Sequence, residues 1–474
     1  MDLSTFRTWA HRCADWAAHY LETVRERPVR AQTAPGDIYR ALPATPPETA
    51  EPMEAIFADF ERLLMPGMTH WQHPRFFAYF PANSSPPSLI AEQLTSALAA
   101  QCMLWQTSPA ATELEQRVLD WLRQMIGLTD GFHGVIQDSA SSATLAAILT
   151  ARERALEWKG NAEGLAGQAQ VRIYASEHCH SSVDKACWIA GVGQANLVKI
   201  PGHGRHHGMD IATLEKAILA DEAAGLVPAC IVACVGGTAV GACDDITAVT
   251  ALGARHGLYV HVDAAWAGSA LICPEYRYLA AGFEKADSVV LNPHKWLFTN
   301  FDCSAHFVRD PEPLVRTLAI RPSYLKTHGR DGVVNFSEWG VPLGRRFRAL
   351  KLWMVIRSYG LEALRDKIRE HVAMAEEIAA RLAAAPGFEI TTAPMLSLFS
   401  FRYAPAGADQ LDALNTRLVQ AINDDGRIYL TPTVHAGKTV IRFQVGQTET
   451  TPADVSMAFD VIREMAARLG PQAA

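Results

Sequence analysis

Lys295 stands in "SVVLNPHKWLFTNFDC" (288–303), a run that otherwise reads as the edge of a buried core. A lysine held there is partly desolvated, which disfavours its charged form and leaves an amine able to attack a carbonyl and form a Schiff base. Other chemistry-bearing residues follow short apolar runs in the same way. After "GVIQ" come Asp138, Ser139, Ala140, Ser141 and Ser142, where a helix start would offer N–H groups and hydroxyls to an anion such as phosphate. After "VRIYAS" come His178 and His180, after "ACIVACV" come Gly236, Gly237 and Thr238, and after "LYVHV" come Asp263, Ala264 and Ala265. A carboxylate at the end of a buried strand needs a cationic partner, from the protein or from a ligand.

Taken singly, each group has a plainer reading. The serines suit an ordinary N-cap, two glycines after a strand suit a turn, and a lysine can pack its stem on Trp296 while its amine reaches water. A metal at His178 and His180 would need further ligands nearby, and the other histidine cluster, "HGRHHG" (203–208), reads as a surface turn. Taken together, the anion cradle, imidazole, hydroxyl, carboxylate and lysine match a ligand with a phosphate, a ring nitrogen worth protonating and an aldehyde. Pyridoxal phosphate has all three.

The elements that would place these groups are short apolar runs alternating with helical periodicity from about 130 to 310, followed by "LYVHV", "SVVL" and "SAHFV". That alternation predicts an α/β fold with a mostly parallel sheet covered on both faces. Ligands of such sheets sit outside the carboxyl ends of the strands, where every candidate falls. Residues 1–85 read as helices broken by "ALPATPPETAEP", with too few apolar stripes for a core of their own. A long helix is expected from near Arg345, and residues 346–474, with strand signals in "SLFSFRY" and "TVIRFQVG", read as a smaller α+β domain. The large domain would span 86–345, and the polar segment 321–336 reads as a mobile loop that closes over substrate.

The chain has 474 residues, a formal net charge of −7 and no basic run, which argues against a nucleic-acid partner. No signal-peptide pattern or apolar membrane span opens it, so a cytoplasmic protein without a membrane partner is expected. Its 9 cysteines show no CxxC pair and read as reduced core residues, with no metal site among them. A nucleotide enzyme would need GxxxxGK[ST] or GxGxxG, and a hydrolase GxSxG or HExxH; none occurs.

The stretches "HPRFFAYFPANSSPPSL", "SPAATELEQRVLDWL", "GVIQDSASSATL", "HSSVDKA", "HVDAAWAGSA", "NPHKWLFTNFDCS" and "PLGRRFRALKLW" resemble the pyridoxal-phosphate-dependent aromatic L-amino-acid decarboxylases, within the group II decarboxylases, over nearly the whole chain. The resemblance implies the aspartate aminotransferase-like fold (fold type I) and a homodimer in which the N-terminal segment wraps its neighbour. It implies that Lys295 carries the cofactor, that Asp263 pairs with its ring nitrogen, and that Ala265 and His180 lie on opposite ring faces. Ser139, Ala140, Ser141 and Asn292 would hold the phosphate, with Thr238 near the ring substituents and His294 beside the lysine. His180 would also hold the substrate carboxylate perpendicular to the ring, and Tyr324 would protonate Cα. Relatives with Phe at that position release an aldehyde, so Tyr324 implies an amine product.

The family's aromatic pocket maps onto Trp71, Tyr79, Phe80, Pro81, Ala82, Met103 and Leu104. Gly344 matches relatives that accept indolic substrates. The chain departs from animal relatives at Ala82, where they often carry Thr, and at Asp138, where they carry Gly. The first removes a hydroxyl near the substrate and the second sets a negative charge beside the phosphate cradle. The competing expectations are an oxygen-using aromatic aldehyde synthase, a decarboxylase of histidine or glutamate, and a catalytically idle cofactor-binding protein.

Overall fold

The six short apolar runs become strands of one sheet in the computed structural model, which describes residues 1–320 and 332–470. They are β1 (His133–Gln137), β2 (Val171–Ser176), β6 (Val227–Cys234), β7 (Tyr259–Asp263), β8 (Ser288–Leu291) and β9 (Ser304–Val308). A seventh strand, β3 (Leu197–Ile200), lies at one edge, and a small hairpin, β4 (Gly202–His203) with β5 (Gly208–Met209), carries the histidine-rich turn. The order is β1-β9-β8-β7-β6-β2-β3. β3, β2, β6, β7 and β8 run parallel, and β9 opposes both β8 and β1.

The mostly parallel sheet expected from the alternation is therefore present. β7, β8 and β9 are buried at every residue, which is why their sequences read as unbroken apolar runs. Capping residues set the helices between them. The Ser139 side chain accepts the Ser142 N–H to start Ala140–Ala155, and Asp245 accepts the Ala248 N–H to start Ile246–His256, which Gly257 ends at φ +68°. On one face Ala147, Ile148 and Ala151 of the first of these helices pack with Val171, Ile173, Cys230 and Val232 of the strands.

Contacts divide the chain into two units, Ala82–Val372, which holds this sheet, and Met1–Pro81 together with Ala373–Ala474. The second unit is built on an antiparallel sheet of β10 (Phe388–Met395), β11 (Leu398–Tyr403), β12 (Thr431–His435) and β13 (Lys438–Gln444), in the order β10-β11-β13-β12. Phe399, Phe401, Ile441 and Phe443 form its core with Leu418, Ile422 and Ile462 of the helices Leu411–Asp425 and Pro452–Leu469.

This grouping differs from the three-part division expected from sequence. Residues before 82 go with the C-terminal sheet because Phe77 enters its core, stacking on Phe443 at 4.4 Å. The long helix starts at Ala349 rather than near Arg345 and breaks at Gly360 (φ 72°, ψ 164°) before ending at Ala384. The N-terminal helix Leu3–Thr23 buries none of its residues. Trp9 and Trp16 of that helix meet Phe57 at ring distances of 5.4 and 6.4 Å.

Candidate active site

β7 ends at Asp263, which is 8% exposed. One carboxylate oxygen accepts the Ala265 N–H at 3.0 Å, and the Asp263 carbonyl accepts the Val235 N–H at 2.9 Å. A buried carboxylate at a strand end suits a ligand that carries a cation, such as a protonated pyridine nitrogen.

One strand over, β8 runs into Asn292 and the single helical turn Pro293–Trp296. Lys295 is half-buried between His294 and Trp296, which are 5% and 0% exposed. Trp296 stacks on Trp266 at 5.2 Å and donates its indole N–H to His371 Nδ1 at 2.9 Å, so the stem side of the turn is anchored in packed aromatic rings. His294 turns toward the following loop, where its Nδ1 accepts the Cys303 N–H at 3.0 Å. Burial first, and then the neighbouring Lys295 charge, pull its pKa down to about 3, so it stays neutral. Asn292 accepts the Ser304 hydroxyl hydrogen on Oδ1 at 2.6 Å, which leaves its amide nitrogen as the end able to donate to a phosphate.

His180 lies on the loop after β2. Its Nδ1 accepts the Ser182 N–H at 3.1 Å, so the proton of the neutral ring sits on Nε2. Burial lowers its pKa; the Asp263 carboxylate opposes that shift and the Lys295 charge adds to it. The imidazole therefore feels both of the other central groups and presents an N–H donor on its outer edge.

The cradle at Ser139 is more constrained than its sequence shows. The Ser139 hydroxyl donates to Asp138 Oδ1 at 3.2 Å while accepting the Ser142 N–H at 3.2 Å. Asp138 thus takes the hydrogen that a phosphate would otherwise receive. The donors toward an anion include the Ser141 hydroxyl and the Ala140 and Ser141 N–H groups at the start of the 16-residue helix. Ala265 packs with Ala140, Ala143 and Val290, which joins the ring-face alanine to that cradle. Thr238 is partly exposed on its loop. The glycines before it serve close packing: a Cβ on Gly236 would lie 2.5 Å from Ala267 Cβ, and one on Gly237 2.9 Å from the His178 carbonyl.

The expected substrate residues are distributed more widely. Met103 and Leu104 are half-buried, and the Met103 carbonyl accepts the Ser337 N–H at 3.0 Å. Gly344 lies on an open depression of about 590 Å³ with Gln101, Arg346 and Arg348; Lys295, Asp263 and His180 do not line it. Ala82 begins the larger unit. Trp71, Tyr79, Phe80 and Pro81 belong to the other unit, where Trp71 stacks on Tyr79 at 5.7 Å and Phe80 lies under the Arg442 guanidinium at 5.3 Å. Tyr324, the expected proton donor, lies outside the described residues, as does most of the segment 321–336.

Two features had no signal in the residue types. Glu115 and Arg345 form a buried ion pair at 2.6 Å, and both bind β1: Glu115 accepts the Ile136 N–H at 2.8 Å and Arg345 donates to the Ile136 carbonyl at 2.8 Å. Arg345 also donates to the Cys102 carbonyl at 3.3 Å, so one pair ties the stretches holding Met103 and Gly344 to the strand that leads into Ser139. The other is Asn83, which contacts the lysine turn directly.

All nine cysteines are free thiols, six of them buried. No helix among the described residues is long and apolar enough to cross a membrane.

A family model described as the pyridoxal-dependent decarboxylase conserved domain matches residues 35–404. The chain is 40% identical over 480 residues to the aromatic-L-amino-acid decarboxylase of Rattus norvegicus, with 98% of each covered. It is 38% identical over 480 residues to the phenylacetaldehyde synthase of Arabidopsis thaliana, covering 99% of this chain and 97% of that one. Among solved structures, Catharanthus roseus tryptophan decarboxylase in complex with L-tryptophan matches with a TM-score of 0.93 at 36% identity, each chain covered to 99%.

Proposed function

The chain belongs to the pyridoxal-dependent decarboxylase family, and from that premise we propose that it converts aromatic L-amino acids to the arylethylamine and carbon dioxide. Its large sheet is that of fold type I, and pyridoxal phosphate is its cofactor. The observation that carries the reading is the buried Asp263 carboxylate at the end of the strand beside the one that leads into Lys295.

When bound, the cofactor supplies an electron-accepting ring for the pair left by the departing carboxylate. The chain's residues do the rest. Lys295 would hold the cofactor through its aldehyde carbon. Asp263 holds the proton on the ring nitrogen, which favours electron withdrawal. His180, neutral with its hydrogen on Nε2, donates to the substrate carboxylate and orients the bond to be broken. Ser139, Ala140, Ser141 and Asn292 would take the phosphate, and Ala265 would lie against the ring.

Trp71, Tyr79, Phe80, Pro81, Ala82, Met103, Leu104 and Gly344 are proposed to receive the aromatic side chain, with Gly344 favouring indolic substrates. Tyr324 is proposed to protonate Cα. The working form is proposed to be a cytoplasmic homodimer. Free thiols throughout support the reducing compartment, and a helix Leu3–Thr23 with no residue buried in the single chain, Phe6 among those exposed, supports an N-terminal contact with a second copy.

The test is product analysis by mass spectrometry, in air, of cofactor-loaded protein given tryptophan, 5-hydroxytryptophan, DOPA, tyrosine, phenylalanine, histidine and glutamate. Aromatic amines are expected. Aldehyde with hydrogen peroxide from the unaltered protein would overturn the amine assignment, and Tyr324→Phe is the variant expected to shift the product that way.

A further inference from the structure

The turn Pro293–Trp296 is too short to satisfy its own carbonyl groups, since the last four C=O groups of any helix lack an internal partner. Their hydrogen bonds can be followed one by one. The Asn292 carbonyl accepts the Lys295 N–H at 2.9 Å, and the Pro293 carbonyl accepts the Leu297 N–H at 3.2 Å. The next two carbonyls, those of His294 and Lys295, are both met by Asn83. Its backbone N–H donates to His294 at 3.3 Å and its side-chain amide donates to Lys295 at 2.6 Å.

Asn83 is 1% exposed, and the backbone around it is held as well. Ser85 forms a capping box with Ser88 at the start of the helix Pro86–Leu98, whose first residues are the prolines of "NSSPPS". The Ser85 hydroxyl donates to the Phe298 carbonyl at 2.7 Å, just past the turn. A rigid helix start thus meets two carbonyls of the lysine turn and a third just beyond it. The gripping residue directly follows Ala82, at the end of the stretch proposed to receive substrate.

We infer that Asn83 is a positioning residue for Lys295: it donates to the lysine's own carbonyl, fixes the direction in which the amine leaves the turn, and links that direction to the substrate stretch at Ala82. The inference rests on Lys295 being the cofactor-bearing lysine. Asn83→Asp keeps the shape and replaces the donor by an acceptor facing a carbonyl, while Asn83→Ala removes the donor without adding charge.

Two readouts need no substrate. One is the pH titration of the visible absorption of the lysine-bound cofactor, and the other is the rate at which borohydride fixes the cofactor to the Lys295 peptide, followed by mass spectrometry. Both variants are expected to shift the titration and slow fixation, and to lower kcat about 10- to 100-fold with KM little changed, as misplacement of a reacting group does. Should Asn83→Asp fail to fold, Asn83→Ala carries the same comparison. Titration and fixation like those of the unaltered protein in a folded Asn83→Ala would overturn the inference. Fixation at a lysine other than Lys295 would instead overturn the function proposed above.

Discussion

Replacing Glu115 by alanine should destabilise the protein by about 4–6 kcal/mol, and the structure supplies the reasons. The side chains of Arg345 and Glu115 are only 7% and 3% exposed, so the change would leave a guanidinium buried without its counter-ion. Breaking such a pair by deleting one member costs roughly 3–5 kcal/mol. The Ile136 N–H, which donates to Glu115 at 2.8 Å, would lose its acceptor as well, adding about 1–3 kcal/mol. Arg345 keeps the Ile136 and Cys102 carbonyls as acceptors, which holds the sum toward the lower part of the combined range. Glu115→Gln retains an acceptor and the volume and should lose less.

The pair Glu115→Leu with Arg345→Met removes both charges, and it should recover to within about 2 kcal/mol of the unaltered protein. Urea unfolding followed by circular dichroism, at fixed protein and cofactor concentration, measures these proteins together with the single variants Glu115→Leu and Arg345→Met. A loss below about 1 kcal/mol for Glu115→Ala, or a double variant as unstable as the two single changes added together, would refute the buried-charge argument.

Asp263→Asn should keep cofactor by mass yet lower kcat about 10²- to 10³-fold, the usual effect of losing a charge aimed at the reacting group; a loss below about threefold in steady-state assays would contradict its assignment. His306 and His294 are held neutral by burial, with pKa values pulled down to about 4 and about 3. Between about pH 6.5 and pH 4 the unfolded chain therefore binds protons that these rings do not, so stability falls as pH drops through that window, by up to about 2 kcal/mol per ring at pH 5. Among the described residues neither His306 ring nitrogen has a hydrogen-bond partner, so His306→Phe should flatten the slope of stability against pH by about one proton, and an unchanged slope would show that this ring protonates in the folded state. Removing residues 1–85 takes Phe77 out of the core around Phe443 and should give insoluble or monomeric, inactive protein; an active monomer by light scattering would contradict it.

The sheet was legible where its strands are buried on both faces, because an unbroken apolar run is then required. β3, β10 and β12 escaped notice for the opposite reason: they alternate or lie half-exposed at edges, and β3 carries Lys199 outward. Lys295, Asp263 and His180 could be read because each follows such a run and carries a group with its own chemistry. Asn83 could not. Its work is a hydrogen bond to the backbone of a residue 212 positions away, which no pattern of side-chain types announces. In sequence it showed only as one unremarked position of the stretch "HPRFFAYFPANSSPPSL". The Glu115–Arg345 pair spans 230 positions and was hidden in the same way. Asp138 could be flagged as a charge near the cradle, but not as the acceptor of the Ser139 hydrogen.

The place of β1 at the end of the sheet bears on how the protein is made. Among the described residues its only strand neighbour is β9, with Gln137 opposite Ser304 and His133 opposite Val308. On a ribosome, β1 emerges early and waits for most of the large unit to be synthesised before its partner exists. Pairings so distant in the chain form slowly, and an unpaired apolar edge invites aggregation meanwhile. The strand leading into Ser139 is pinned only after Val308 has been made, later than Lys295 itself. Cofactor capture therefore reports a sheet closed as far as Val308, and chains interrupted before Ser304 should remain colourless and dependent on chaperones.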